Sequence, residues 1–380
     1  MKIKQIICTS LNISPESIAS LNSIEPQLIL VFASVSHFKN SSFSSALLNS
    51  IPNAQWVGCS TAGEISAVGV SDDTTIMTAL HFDHPDFKVV SAPLTQMDNT
   101  FLAGKELAST LQASDLKNIV VLGQGVNING SALIDGLKSV IDDSVVISGG
   151  LAGDAGQFTR SFTLNNQGTS TEDIVAIGFY GEHIQLSVGC FGGWQPFGSK
   201  RRVTRHSGNI LFELDGKPAL ELYKNYLGDY AKDLPASGLL FPFSMMSAEG
   251  QSLGIIRTIL GINEEEGSLI LAGDLIEGGY LQLMLASTDA LVDGAETAAK
   301  IVKSLNRIEG DSLAILVSCV GRKLLMGGRI DEEVEAVSDV FGEKVTLTGF
   351  YSNGEISPFS NTTDCKLHNQ TMTITCLSER

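Results

Sequence analysis

The chain has 380 residues, 43% hydrophobic and 18% charged, with a mean hydropathy of +0.17. At roughly 100–200 residues per domain this length suggests two domains, and a chain so apolar buries a sizeable core, which excludes global disorder. Asp and Glu number 42 against 25 Lys and Arg, a net charge of −17, so phosphate backbones and anionic headgroups are repelled and nucleic acids and membrane surfaces make poor partners.

No apolar stretch is long enough for a transmembrane helix. The patch Ile6-Ile7-Cys8 behind the two N-terminal lysines is too short for a signal peptide. Six cysteines (Cys8, Cys59, Cys190, Cys319, Cys365, Cys376) are scattered without a CxxC pair, the usage of reduced thiols in a cytoplasmic protein.

In chain order, PQLILVFAS (Pro26 to Ser34) is an unbroken apolar run and predicts a buried strand. Helix-compatible residues follow around Ser44 to Leu48. A second strand, AQWVGCS, then leads into the turn GCSTAGEIS (Gly58 to Ser66) and the alternating strand TTIMTALHFD. A middle segment repeats part of this order: NIVVLGQGV, a helix around Ala132 to Val140, SVVISGGLAGD, and EDIVAIGFYGEHIQLSVG, which predicts a hairpin turning at Tyr180-Gly181-Glu182-His183. SLGIIRTILGI to GSLILAGDLIEGGYLQLMLAS is a fainter version. DALVDGAETAAKIVKSLNR predicts a long helix packed on a sheet.

The last part closes the pattern. SLAILVSCVGR predicts a strand, DEEVEAVSDVFG a helix stopped by Gly342, and VTLTGFYSNGEIS the second strand and turn, with QTMTITCLS after it. GFYSNGEIS (Gly349 to Ser357) matches GCSTAGEIS at five of nine positions. The spacing is too long for a solenoid repeat of roughly 20–50 residues. The fold class is therefore α/β: two related halves, each a mixed β-sheet with βαβ units plus antiparallel hairpin strands, residues 1–216 and 217–380, joined around Asp215-Gly216-Lys217-Pro218.

Glycines concentrated at strand ends can line a ligand crevice or simply make tight turns. No Walker A motif is present, and GQGVNING (Gly123 to Gly130) lacks the third glycine of a dinucleotide fingerprint, Ile128 standing there. Glu64 and Glu355 hold equivalent places in the repeated turns. Either both carboxylates face one crevice, able to bind an amine or do acid/base work, or each accepts backbone N–H bonds and pins its own turn. Cys59 has Phe350 as its counterpart and needs a base that the sequence does not place.

The histidines show no zinc spacing, but a haem needs only an axial ligand. His368 shares parity with Met372 and Ile374 and points inward; His183 sits beside the 180–183 turn, and His84 at an exposed tip. CFGGWQPFG (Cys190 to Gly198) could wall a pocket or plug a domain junction.

The repeated turns, GGLAGD, GNILFELDGKPALELY and HNQTMTIT together make the chain resemble the FIST family over roughly residues 25–377. The resemblance implies an N-terminal FIST domain (1–216), a C-terminal FIST domain (217–380), and an intracellular sensor in signal transduction, not an enzyme. ELDGKPALELYKNYLG and LPASGLLFPF resemble the haem-binding, nitric-oxide-sensing members (the NosP type), which act on a partner histidine kinase and influence biofilm signalling. That implies haem held by His368 or His183, with a histidine kinase or other signalling protein as partner and no membrane insertion; homo-oligomerisation stays open. The alternative is an amino-acid or small-metabolite sensor without haem. Its ligand would lie between the halves against Cys59, Ser60, Thr61, Gly63, Glu64, Arg322, Tyr351, Ser352, Asn353, Gly354 and Glu355, with Arg322 taking a carboxylate.

Overall fold

The computed structural model describes residues 1–11, 13–305, 311–358 and 363–380. A first unit runs β1 (Lys2–Cys8), α1 (Pro15–Asn22), β2 (Leu28–Ser34), α2 (Val35–Phe38), α3 (Ser41–Ser50), β3 (Gln55–Thr61), β4 (Glu64–Ser66), β5 (Gly69–Ser71) and β6 (Thr75–His81). A second runs β7 (Phe87–Pro93), α4 (Thr100–Leu111), β8 (Leu116–Gly123), α5 (Gly130–Lys138), β9 (Val146–Leu151), β10 (Thr163–Asn165), β11 (Gly168–Ser170) and β12 (Asp173–Tyr180). A third opens with β13 (Ile184–Phe191). It is interrupted by β14 (Gln195–Ser207), β15 (Ile210–Leu214), β16 (Lys217–Pro218), α6 (Ala219–Leu227), β17 (Phe243–Met246), β18 (Ser252–Arg257), β19 (Ile259–Asn263), β20 (Ser268–Leu271) and β21 (Tyr280–Leu285). The third unit resumes with α7 (Thr288–Leu305), β22 (Ser312–Cys319), α8 (Val320–Met326), α9 (Asp331–Phe341), β23 (Val345–Ser352), β24 (Gly354–Pro358), β25 (Cys365–His368) and β26 (Met372–Glu379).

The class is mixed α/β, 28% helix and 42% strand. The Gly-Glu-Ile echo marks the first and third units, and the middle segment is the second. Their sheets have matching strand orders: β1-β6-β2-β3-β10-β11, β7-β12-β8-β9-β24-β25 and β13-β26-β22-β23-β4-β5. Each unit gives its short hairpin away. β4–β5 of the first extends the third unit's sheet through β23, β24–β25 of the third extends the second's through β9, and β10–β11 of the second extends the first's through β3.

Strands buried on both faces need apolar residues in unbroken runs, which is why PQLILVFAS and SLAILVSC look as they do. Leu28, Leu30 and Phe32 face a common centre with Val120 and Leu122 of β8 and Leu313, Ile315 and Val317 of β22. There the Phe32 and Phe350 rings stack at 4.9 Å between centroids. The alternate residues face outward onto helices: Ile29 and Val31 in a cluster with Phe43 and Leu47 of α3, Ile119 and Val121 with Leu107 and Leu133, and Ala314 and Leu316 with Ala298 and Val337. Three sheets thus meet around one core, each roofed by its own helices.

Two sequence expectations change. β12 and β13 both exist, yet they do not pair with each other: β12 pairs with β7 and β8, whereas β13 pairs with β26, so residues 180–183 connect two sheets rather than close a hairpin. Residues 252–285 contain no strand–helix–strand repeat; they belong to a fourth sheet, β18-β17-β21-β14-β15-β20-β19. Asp215-Gly216 is a turn inside that sheet, with φ 52° and 73°, and Leu214 pairs with Lys217 across it. The long helix is α7, and its expected end at Asn306 and Arg307 lies outside the described residues.

Candidate functional site

The ends of the three units' second strands converge, and main-chain bonds link them in a ring. Ala62 N–H donates to Tyr351 O at 2.8 Å, Asn353 N–H to Leu151 O at 3.1 Å, and Gly153 N–H to Ser60 O at 2.8 Å. Each turn is therefore hydrogen-bonded to the strand of another unit.

Glu64 and Glu355 do the same job in two of these turns. Thr61 Oγ1 donates to one oxygen of Glu64, and Thr74 donates to the other from its N–H at 2.9 Å and its hydroxyl at 2.7 Å. Ser352 Oγ donates to Glu355 at 2.6 Å, and Thr371 donates from its N–H at 3.2 Å and its hydroxyl at 3.0 Å. Both side chains are buried. Of the two readings left open by the sequence, the geometry is that of two carboxylates pinning their own turns. Burial outweighs these bonds and raises both pKa values, Glu355 to about 7. In the second unit the turn carboxylate is Asp154, one position earlier; it accepts the N–H groups of Phe158 (2.9 Å), Thr159 (2.6 Å) and Arg160 (3.0 Å).

A cavity of about 690 Å³ opens beside the first turn, lined by Ser34–Ser36, Thr61–Glu64, the 154–160 loop and α8. It lies at the carboxyl ends of the parallel strands β2 and β3, where crevices form in open α/β sheets. Lys39, Arg160 and Lys323 bring positive charge to it, and Asp72 and Asp73 bring negative charge. Lys323 Nζ donates to Ala62 O at 2.8 Å and to the Asp72 carboxylate, and stands 5.5 Å from the Tyr351 ring centroid. Gly63 permits this: its φ is +141°, and a Cβ there would lie 2.5 Å from Lys323 Nζ.

Among the residues expected to bind ligand, Thr61, Gly63 and Glu64 line this cavity and Asn353 lines another. Cys59, Ser60, Tyr351, Ser352, Gly354 and Glu355 are buried, and the cavities found are lined by none of them. Burial pushes the Cys59 thiol up, away from nucleophilic chemistry. Ser60 Oγ instead donates to Gly153 O at 2.7 Å. The carboxylate for Arg322 is the chain's own Glu333, at 2.7 Å. Lys323, Lys39, Arg160 and Asp154 were missed, although GGLAGD contains the Asp and Lys323 directly follows Arg322.

The residues do not fit a haem. His368 points inward as its parity implies, is wholly buried with Nε2 3.1 Å from Ser357 O, and lines none of the cavities found. Burial lowers its pKa to about 4. His183 is exposed and stacks on His84, with 3.9 Å between ring centroids. Among the described residues no three His, Cys, Asp or Glu side chains gather as a metal site, and no helix is long and apolar enough to cross a membrane. Trp194 is a plug: it packs with Met284, Leu291 and Met326, and its Nε1 donates to Gln370 O at 2.9 Å. The chain's basic run Lys200-Arg201-Arg202 is spent in the fourth sheet, Lys200 on Gly250 O at 2.9 Å and Arg201 on Asp215 and Tyr226 at 3.1 and 3.0 Å.

Three α/β units of matching strand order, hydrogen-bonded in a ring beside a charged crevice, define the class of the fold. The chain belongs to the FIST family: residues 27–217 match the FIST N domain and residues 219–358 the FIST C domain. It is 25% identical over 318 residues to an uncharacterized protein of Methanocaldococcus jannaschii, covering 77% of this chain and 59% of that one. It is 26% identical over 237 residues to an uncharacterized protein of Mycobacterium tuberculosis, covering 60% and 59%. The chain thus spans about three fifths of the length of the curated relatives it matches. A crystal structure of cyanuric acid hydrolase from A. caulinodans aligns over 100% of this chain and 99% of its own, with 8% identity and a TM-score of 0.38, too low to carry an argument.

Proposed function

We propose that the chain is a sensor whose ligand is a small polar metabolite carrying both signs of charge, an amino acid being the simplest example. The observation that supports this reading is the mixed charge of the cavity of about 690 Å³, with Lys39 and Arg160 exposed at its rim and Asp72 and Asp73 across from them. A ligand carboxylate would pair with Arg160 or Lys39 in the bidentate or point-charge manner of those side chains, and its ammonium with Asp73. Lys323, already committed to Ala62 O and Asp72, would report occupancy by exchanging Asp72 for the ligand. Both Asp72 and the turn lie beside the hairpin β4–β5, which belongs to the third unit's sheet, so a ligand that prefers one hairpin position would shift the population of states. A histidine kinase or another signalling protein would read that shift.

The gas-sensing alternative requires haem on His368 or His183; the first is wholly buried with Nε2 3.1 Å from Ser357 O, and the second stacks on His84 at the surface. Calorimetry and thermal shift with a panel of amino acids test the proposal. Saturable one-to-one binding that weakens at least about tenfold in Lys323→Ala and Arg160→Ala supports it. Absence of any such ligand, together with a stoichiometric Soret band on haem titration that shifts with nitric oxide, would replace it with the haem reading.

A further inference from the structure

The threefold plan predicts counterparts of the charged cavity, and one of them is different in character. In the first, the turn 61–64 meets the segment that follows β22; a third of the way round, Asn353 and β25 meet the segment that follows β8, the Gly-rich GQGVNING. Between them lies a second cavity of about 240 Å³. The fourth sheet covers it with Leu260, Leu271 and Asp274, and Leu367 and Phe158 add further apolar wall.

Its polar side chains are Asn127, Asn129, Asn209, Asn353 and Asp274; no Lys or Arg lines it, and Asp274 is its single carboxylate. Asp274 forms no ion pair within 4.0 Å among the described residues, and Asn129 Nδ2 approaches it only at 3.4 Å. Arg257, which attracts Asp274 electrostatically, lies behind Gly273 and is 4% exposed. Its guanidinium is taken up by main-chain oxygens of Asp274 (3.2 Å), Leu367 (3.0 Å) and Ile256 (3.4 Å). Asn353 donates Nδ2 to Gly125 O at 3.1 Å, which fixes its amide orientation and leaves Oδ1 buried with no hydrogen-bond partner. Buried polar atoms of this kind are normally satisfied, so Asn353 lacks a donor.

We propose that this second cavity binds a small amine with an apolar body, its N–H groups answering Asp274 and Asn353 and its hydrocarbon part lying against Leu260, Leu271, Leu367 and Phe158. One carboxylate in an apolar pocket selects a monocation over the isosteric alcohol or acid. The inference does not depend on what the charged cavity binds.

Isothermal titration of the full chain with isoamylamine, isoamyl alcohol and isovalerate tests it. The amine is expected to bind one per chain, at least about tenfold more tightly than either analogue. Asp274→Asn weakens the amine at least about tenfold and abolishes the preference over the alcohol. Leu260→Trp, at a position 41% exposed and therefore tolerant of a larger side chain, fills the cavity and removes binding. Lys323→Ala leaves amine binding unchanged, which separates this site from the charged cavity. Equal or tighter binding of isovalerate, amine affinity unaffected by both Asp274→Asn and Leu260→Trp, or loss of amine binding in Lys323→Ala would overturn the proposal.

Discussion

Arg322 and Glu333 form an ion pair from which water is wholly excluded, both side chains being 0% exposed with Nη2 and Oε2 2.7 Å apart. The pair joins α8 to α9, and its spare atoms bind what surrounds it. Arg322 donates to Leu291 O at 2.8 Å and to Gly192 O at 2.5 Å, and Glu333 accepts from Ser318 Oγ at 2.9 Å and Tyr351 Oη at 2.5 Å. Every charge is matched, the condition under which a buried pair persists.

Removing one partner leaves the other charged and dry. Arg322→Ala should therefore cost about 3–5 kcal/mol in urea unfolding. The double variant Arg322→Met, Glu333→Leu should cost less than either single change. A double variant as unstable as the sum of the singles would show that the pair does not act as a unit.

Glu355 carries a pH signature. Its pKa rises from 4.5 to about 7 on burial, so the folded chain holds that proton more tightly than the unfolded chain. The contribution is complete below about pH 4.5 and is lost as pH climbs through about 7, on the order of 3 kcal/mol over the window. Glu355→Gln can accept from Thr371 and donate to Ser352, and it cannot titrate. The stability difference between Glu355→Gln and the parent should grow in favour of the variant between pH 5 and 8, followed by chemical denaturation; a flat difference rejects the assignment.

Gly58, Gly149 and Gly349 occupy one structural position in the three units, each opposite the neighbouring parallel strand. A Cβ there would stand 2.1, 1.9 and 1.9 Å from the carbonyl oxygens of Val31, Val121 and Leu316. The backbone would have to move, so Gly58→Ala or Gly349→Ala should cost about 3 kcal/mol or more. Gly328→Ala meets nothing within 4 Å and should lie within about 0.5 kcal/mol of the parent in the same melt.

Neither FIST domain closes its own sheets. Residues 1–218 lack β23 for β4, β24 for β9 and β26 for β13. That fragment should be expanded and aggregation-prone alone, with bare strand edges, and should become soluble when co-expressed with residues 219–380. A cooperative melt of the 1–218 fragment by itself would contradict the strand exchange.

The local elements were readable because local physics makes them. Runs such as LILVFAS need burial on both faces, and Asp331–Phe341 has both a helical apolar stripe and a glycine stop. The middle unit was harder to see in full. Its turn has Ala152 where the others have Thr61 and Ser352, and no Glu follows, so the hydroxyl–carboxylate signature is missing. The hairpin exchange left no local trace, since β4 meets β23 across more than 280 positions of chain and nothing in either strand names the other. The same holds for the cavity: Lys39, Arg160 and Lys323 come from three units, and only folding gives them a common neighbour.

The exchange of hairpins runs one way round the molecule. The first unit leans on the third, the third on the second and the second on the first, never the reverse. The donation has a hand, so the three seams are copies of one joint, and what is learned of the Glu64 turn against β23 applies to the other two.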